Sequence, residues 1–119
     1  MLSIRFLQLQ PGETVFTQGE LANSVFYISS GSVRIYITQR GESRRITDLH
    51  SGDFFGEHCL SHYSCRPNTA TTLDKTTLVE IEKHEMVKVL EGKPRWRETF
   101  IRNLIDLKIA LESALIQNG

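Results

Sequence analysis

Up to Ile81 the hydrophobic residues fall in short runs or alternate with polar ones; beyond it they take helical spacing. SVRIYITQ alternates most clearly, with Val33, Ile35 and Ile37 on one side and Arg34, Tyr36 and Thr38 on the other. That is the two-residue period of a half-buried strand. TVFTQ before Gly19, VFYIS ahead of Gly31, RRITDL and TTLVEIE are further strand-like runs. Between them Pro11-Gly12, Gly19-Glu20, Ser30-Gly31, Arg40-Gly41 and Ser51-Gly52 supply turn residues, with glycine where positive φ is needed. Short strands at this regular spacing predict a mainly β domain, an antiparallel barrel, roll or sandwich.

KHEMVKVLEG then predicts a short helix with Met86, Val89 and Leu90 on one side and Gly92 as its stop. Pro94 suits the first turn of a second, long helix over 94–117. Placed at about 100° per residue, Phe100, Leu104, Leu107, Leu111, Ala114 and Leu115 form one stripe, and Ile101, Ile105, Ile109 and Ile116 a second. Arg102, Asn103, Asp106, Ser113 and Gln117 hold the remaining arc. So broad an apolar arc exceeds what one surface needs. One stripe is expected on the chain's own β region and one on a partner, most simply the same helix of a second copy. The layout is one domain: a β region over 1–92 and the C-terminal helix over 93–119.

Composition narrows the classes. The 119 residues suit one domain with its own core. With 14 basic and 14 acidic side chains the chain is neutral, which argues against nucleic-acid binding by this segment alone. No apolar run approaches the ~18 residues of a membrane span. The start, MLSIRFLQLQ, lacks the charged and apolar regions of a signal peptide. Two cysteines, Cys59 and Cys65, are too few for a disulfide framework. A reduced, cytoplasmic protein is expected.

The chemistry gathers in GDFFGEHCLSHYSCRPNTAT, residues 52–71. Gly56 permits close backbone approach, and HCLSHY suits a single helical turn whose first N–H groups converge on an anion. Arg66, ten positions after Gly56, can return as a permanently charged, two-pronged clamp. Glu57 is ill placed for a phosphate but suits a sugar hydroxyl. Phe54 and Phe55 are expected to split between core and loop packing, with one ring under the loop.

Other readings of the same residues remain open. His58, Cys59, His62 and Cys65 have the right number of donors for zinc, but the spacing is unfamiliar. Iron–sulfur ligation lacks cysteines. Haem on His58, His62 or Cys65 has no specific support. Cys59 reads as a small buried hydrophobe and Cys65 as exposed, which leaves a redox pair as a further alternative. Among His50, His58, His62 and His84 no nucleophile–base spacing stands out, so no enzyme is expected. His50 and His84 read as surface residues, and Trp96 as an anchor for the long helix.

PGETVFTQGELANSVFYISSGSVRIY, then GDFFGEHCL, then Arg66 with Thr69 and Ala70, resemble a cyclic-nucleotide-binding domain over about Leu9 to Ala114. FFGEHCLSHYSCR and TTLVEIEKHEMVKVL are especially similar to the effector domains of Crp/Fnr-type bacterial transcription regulators. The resemblance implies an eight-stranded, jelly-roll-like β-roll, a phosphate-binding cassette (52–71) and a long dimerisation helix. It implies a cyclic nucleotide ligand, cAMP first and cGMP second, and a homodimer through helix 94–117. DNA contact is expected only through a helix-turn-helix domain outside this sequence, and no membrane role is expected.

Carried onto this chain, Glu57 would meet the ribose 2′-hydroxyl and Arg66 the cyclic phosphate, with Gly56 completing the Gly-Glu pair. Phe55, His58, Cys59 and Leu60 flank that pair, the last two on the short helix whose N–H groups help hold the phosphate. Thr69 matches the family's small hydroxyl residue, and Asn103 and Asp106 are candidates for meeting the base. Two residues depart from the pattern. Pro67 stands where the family has Ala, Ser or Thr and offers no N–H, and Asn68 stands where a small apolar residue is usual. One missing donor costs a charged ligand about 1.5–3 kcal/mol, enough to move a micromolar site to tens or hundreds of micromolar. The alternative is a dimerising module that binds no ligand, or one that senses haem, redox state or another anion.

Overall fold

The computed structural model describes residues 4–60 and 65–90. Among these residues eight strands form two four-stranded antiparallel sheets. They are β1 (Ile4–Leu9), β2 (Thr14–Phe16), β3 (Ser24–Ser30), β4 (Ser32–Gln39), β5 (Glu42–His50), β6 (Phe54–Phe55), β7 (Thr69–Thr72) and β8 (Thr76–Glu82). One sheet runs β1-β8-β3-β6 and the other β2-β7-β4-β5. A 3-10 turn, Glu57–Leu60, follows β6, and helix α1, Lys83–Leu90, follows β8. Among the described residues no helix is long and apolar enough to cross a membrane.

The two kinds of strand pattern have different packing origins. Between the sheets lie Phe16, Phe26, Ile28, Val33, Ile35, Phe55, Ala70 and Leu78. The first sheet also buries its outer face, where Val25, Tyr27, Cys59, Val79, Ile81 and Met86 gather. VFYIS and TTLVEIE therefore read as near-continuous apolar runs, because β3 and β8 are covered on both sides. SVRIYITQ alternates because only one face of β4 is covered: Val33 and Ile35 are buried while Arg34 and Tyr36 are half-exposed. Phe54 and Phe55 divide as expected, Phe54 onto Tyr27 (centroids 4.9 Å apart) and Phe55 onto Phe26 (5.2 Å).

Three strands were not expected from the pattern: β1, β7 and the two-residue β6, which pairs with β3. β1 pairs with β8 along its length, from Ile4↔Ile81 to Leu9↔Thr76. β7 lies within the loop-like 52–71 stretch, yet it pairs with both β2 and β4. Its sequence, TATT, carries β-branched threonines but little hydrophobicity. Helix α1 appears where expected and buries Met86. The long helix over 94–117, the boundary at 92/93, Trp96, Asn103 and Asp106 lie outside the described residues.

Candidate anion-binding site

Arg66 is held at the head of β7 by its own backbone. Its N–H donates to the Glu20 carbonyl (2.7 Å), and its carbonyl accepts from the Gly19 N–H (2.8 Å). Leu21 and Cys65 form a bridge beside this pair. The side chain then turns inward and is 4% exposed. Nη1 donates to the Gly56 carbonyl (2.7 Å) and Nη2 to the Ser24 carbonyl (2.9 Å). The guanidinium carbon sits 4.2 Å from the Phe16 ring centroid and 5.6 Å from that of Phe26, in cation–π range.

The expected close approach at Gly56 is made by Arg66 itself. Gly56 has φ +79°, and a Cβ there would lie 2.9 Å from Arg66 Nη1, 3.2 Å from Phe26 and 3.4 Å from Phe16. Both the backbone and the space therefore call for glycine.

Ser24 ties the cassette to the first sheet. Its carbonyl accepts from Arg66 and from the Cys59 thiol (3.5 Å), and its hydroxyl donates to Glu80 (2.8 Å). Glu80 in turn pairs with Arg5. Burial pulls the Arg66 guanidinium below its ordinary pKa, opposed by Cys59, Glu80, Glu20 and Glu57; it remains a cation at neutral pH. Burial pushes the Cys59 thiol up, opposed by Arg66 and Lys83.

The charge on Arg66 is incompletely answered. Among the described residues no carboxylate forms an ion pair with it. Its Nε is buried and has no hydrogen-bond partner among the described residues. A guanidinium carries five N–H donors, and two of them are used among the described residues. The residues present thus fit a small anion: a fixed positive charge with donors to spare.

The other cassette candidates are placed as follows. Glu57 is exposed at the first position of the 3-10 turn, and His58 and Leu60 are half-buried beside it. Pro67 and Asn68 are half-buried. Thr69 is buried, and its hydroxyl accepts from the Gln18 N–H (2.9 Å). Cys59 is buried, Cys65 exposed, and neither is in a disulfide. Among the described residues no three His, Cys, Asp or Glu side chains gather to hold a metal; His62, one of the four zinc candidates, lies outside them. His50 and His84 are exposed, His84 beside Glu82 and Glu85.

Sequence reasoning missed Ser24, Phe16, Phe26 and Gln18. Ser24 holds Arg66 through a backbone carbonyl, which no side-chain pattern reveals. Phe16 and Phe26 read only as core.

The profile of the cyclic nucleotide-binding domain matches residues 6–93, and the chain belongs to that family. It is 30% identical over 82 residues to a cAMP-dependent protein kinase regulatory subunit of Yarrowia lipolytica, covering 69% of this chain and 21% of that protein. It is 29% identical over 103 residues to a CRP-like cAMP-activated global transcriptional regulator of Mycobacterium tuberculosis, covering 82% of this chain and 46% of the regulator. The fold matches the catabolite activator protein of Thermus thermophilus with a TM-score of 0.73 at 23% identity, over 96% of this chain and 55% of that one. The chain thus spans less than half the length of these two curated relatives.

Proposed function

We propose that the chain is the ligand-sensing effector domain of a Crp-like transcription regulator, and that it binds a cyclic nucleotide, cAMP first and cGMP second. The observation that carries this is Arg66: a buried cation with no carboxylate partner among the described residues and an unused Nε–H. The cyclic phosphate supplies the missing negative charge. Glu57 takes the ribose 2′-hydroxyl, Gly56 to Leu60 and Thr69 close around the phosphate, and Asn103 or Asp106 meets the base. Family membership and the likeness to a cAMP-dependent kinase regulatory subunit and a cAMP-activated regulator support the same reading.

Occupancy shifts the population of cassette conformations. Helix 94–117, packed against its copy in a homodimer, passes the change to a DNA-binding unit. No catalytic step is assigned to the chain. A second reading, a dimerising module without a nucleotide, is favoured by Pro67, which denies the site one N–H, and by the two carbonyls that already hold Arg66.

Calorimetric titration with cAMP and with cGMP tests the proposal, with Arg66→Lys as the control that keeps the charge but loses the fork. Heat of binding that weakens about tenfold or more in the variant supports the nucleotide site. No heat with either nucleotide at millimolar ligand transfers the assignment to the second reading.

A further inference from the structure

We propose that the free edge of β5 and the tip of the β4–β5 hairpin form a docking surface for an acidic, extended segment of another protein. This surface is separate from the Arg66 site and does not depend on the ligand proposed there.

Among the described residues β5 is the outermost strand of its sheet, paired only with β4. Glu42 to Thr47 on it are exposed. An edge strand of nine residues presents unpaired N–H and C=O groups along its outer side, the template on which an extended peptide adds as a further strand. The register shifts between Ile35↔Thr47 and Tyr36↔Arg45, so Ile46 has no partner on β4. That residue is 54% exposed and offers an apolar anchor in the middle of the edge.

Charge selects the occupant. The chain is neutral as a whole, yet this hairpin carries Arg34, Arg40, Arg44 and Arg45 against Glu42 and Asp48. On the outer face Arg34 and Arg45 share Asp48, at 2.8 and 3.4 Å. Arg40 and Arg44 have no ion pair among the described residues. Both line an open cleft of about 880 Å³ with Ile37, Gln39, Glu42 and Ser43. Arg44 stands opposite Ile37, so its charge lies on the face that continues the core side past the last buried residue. Arg40 is the only described non-glycine residue with positive φ, at 53°. That is a strained backbone for an ordinary side chain, and glycine or asparagine would sit there with less strain.

The alternatives fit less well. A second copy pairing through its own β5 sets arginine against arginine when the pair is centred between Arg44 and Arg45; in other registers Arg44 meets Glu42 or Asp48, and self-association of the chain through β5 in place of peptide binding overturns the proposal. A nucleic acid needs a basic stripe that tracks several phosphates, and this hairpin offers two arginines, Arg40 and Arg44, without an ion pair among the described residues.

The test is fluorescence anisotropy of two labelled peptides, one alternating Glu and Val and one alternating Lys and Val, titrated with the full chain. The comparison protein is Arg40→Gly with Arg44→Gln, both at exposed positions, the first also relieving the positive φ. We expect the acidic peptide to bind at least about tenfold more tightly than the basic one, and the neutralised protein to lose about tenfold in affinity. We also expect hydrogen exchange to slow in the β5 amides when the acidic peptide is added. Equal binding of the two peptides, an unchanged affinity in the neutralised protein or protection confined to other strands overturns the proposal. So does an oligonucleotide that binds the hairpin more tightly than the acidic peptide.

Discussion

Gly56→Ala tests whether the cassette is built around the guanidinium. Two costs add in this substitution. The first is conformational: φ is +79°, and a side chain there loses about 1–2 kcal/mol. The second is steric, since the new methyl would lie 2.9 Å from Arg66 Nη1 and 3.2 Å from Phe26. A long side chain usually swings away at little cost. Arg66 cannot do so freely, because two carbonyls hold it and the Phe16 ring lies against it. Overpacking of this kind costs about 1–3 kcal/mol, so the total is about 2–5 kcal/mol, a large share of the ~5–15 kcal/mol typical of a domain. Repeated in an Arg66→Met background, the same change should keep the conformational part and the contact with Phe26 and lose the clash with the guanidinium. The two sites should therefore couple by about 1–2 kcal/mol. Urea unfolding followed by far-ultraviolet circular dichroism on the four proteins measures this. An identical cost of Gly56→Ala in both backgrounds would show that the guanidinium plays no part in the need for glycine.

Pro67→Ala restores an N–H where the family usually has one, and the affinity for cAMP should rise about ten- to a hundredfold by calorimetry; unchanged affinity would mean that this N–H does not face the ligand. The hydrogen bond from Arg34 holds the Asp48 carboxyl below its ordinary pKa, with further help from Arg45. Its contribution to stability is therefore present above the unfolded value and is lost as pH falls through the depressed folded value. Asp48→Asn should flatten that part of the acid limb in a series of urea titrations, and an unchanged limb would refute the link. Toward a thiol reagent, exposed Cys65 should react rapidly and buried Cys59 only at the rate of opening; equal rates would contradict the burial of Cys59.

The strand pattern was legible wherever hydrophobicity carried it. SVRIYITQ and TTLVEIE coincide with β4 and β8, and VFYIS lies within β3. TVFTQ gave too long a strand, because Thr17 and Gln18 leave the ladder: the Gln18 amide instead makes two bonds to the Thr38 backbone, at 2.9 and 3.1 Å. β1 was missed because IRFLQL carries little strict alternation, with Phe6 51% exposed. At the site, Gly56, Glu57 and Arg66 were legible as residues, and the inward turn of Arg66 was not. That turn depends on where the carbonyls of Gly56 and Ser24 point, and a sequence does not write down carbonyl directions.

The geometry of Arg66 also explains why a resting cassette can hold a cation without a carboxylate. An isolated charge in an apolar interior is costly, and a buried ion pair often returns little more than it costs. Here two carbonyl dipoles and an aromatic face answer part of the charge, at the expense of an unpaired Nε. A carboxylate in the same place would satisfy the guanidinium fully and would compete with any incoming anion. Carbonyls compete less, since they carry no net charge. Among the described residues the cation thus keeps an electrostatic deficit that an anion would remove, and under the proposed function the deficit is part of the binding energy. It follows that the ligand should stabilise the fold by mass action, by about 2.7 kcal/mol at a hundred times its dissociation constant. At the same ligand concentration the gain should shrink in Arg66→Met with the logarithm of the affinity lost.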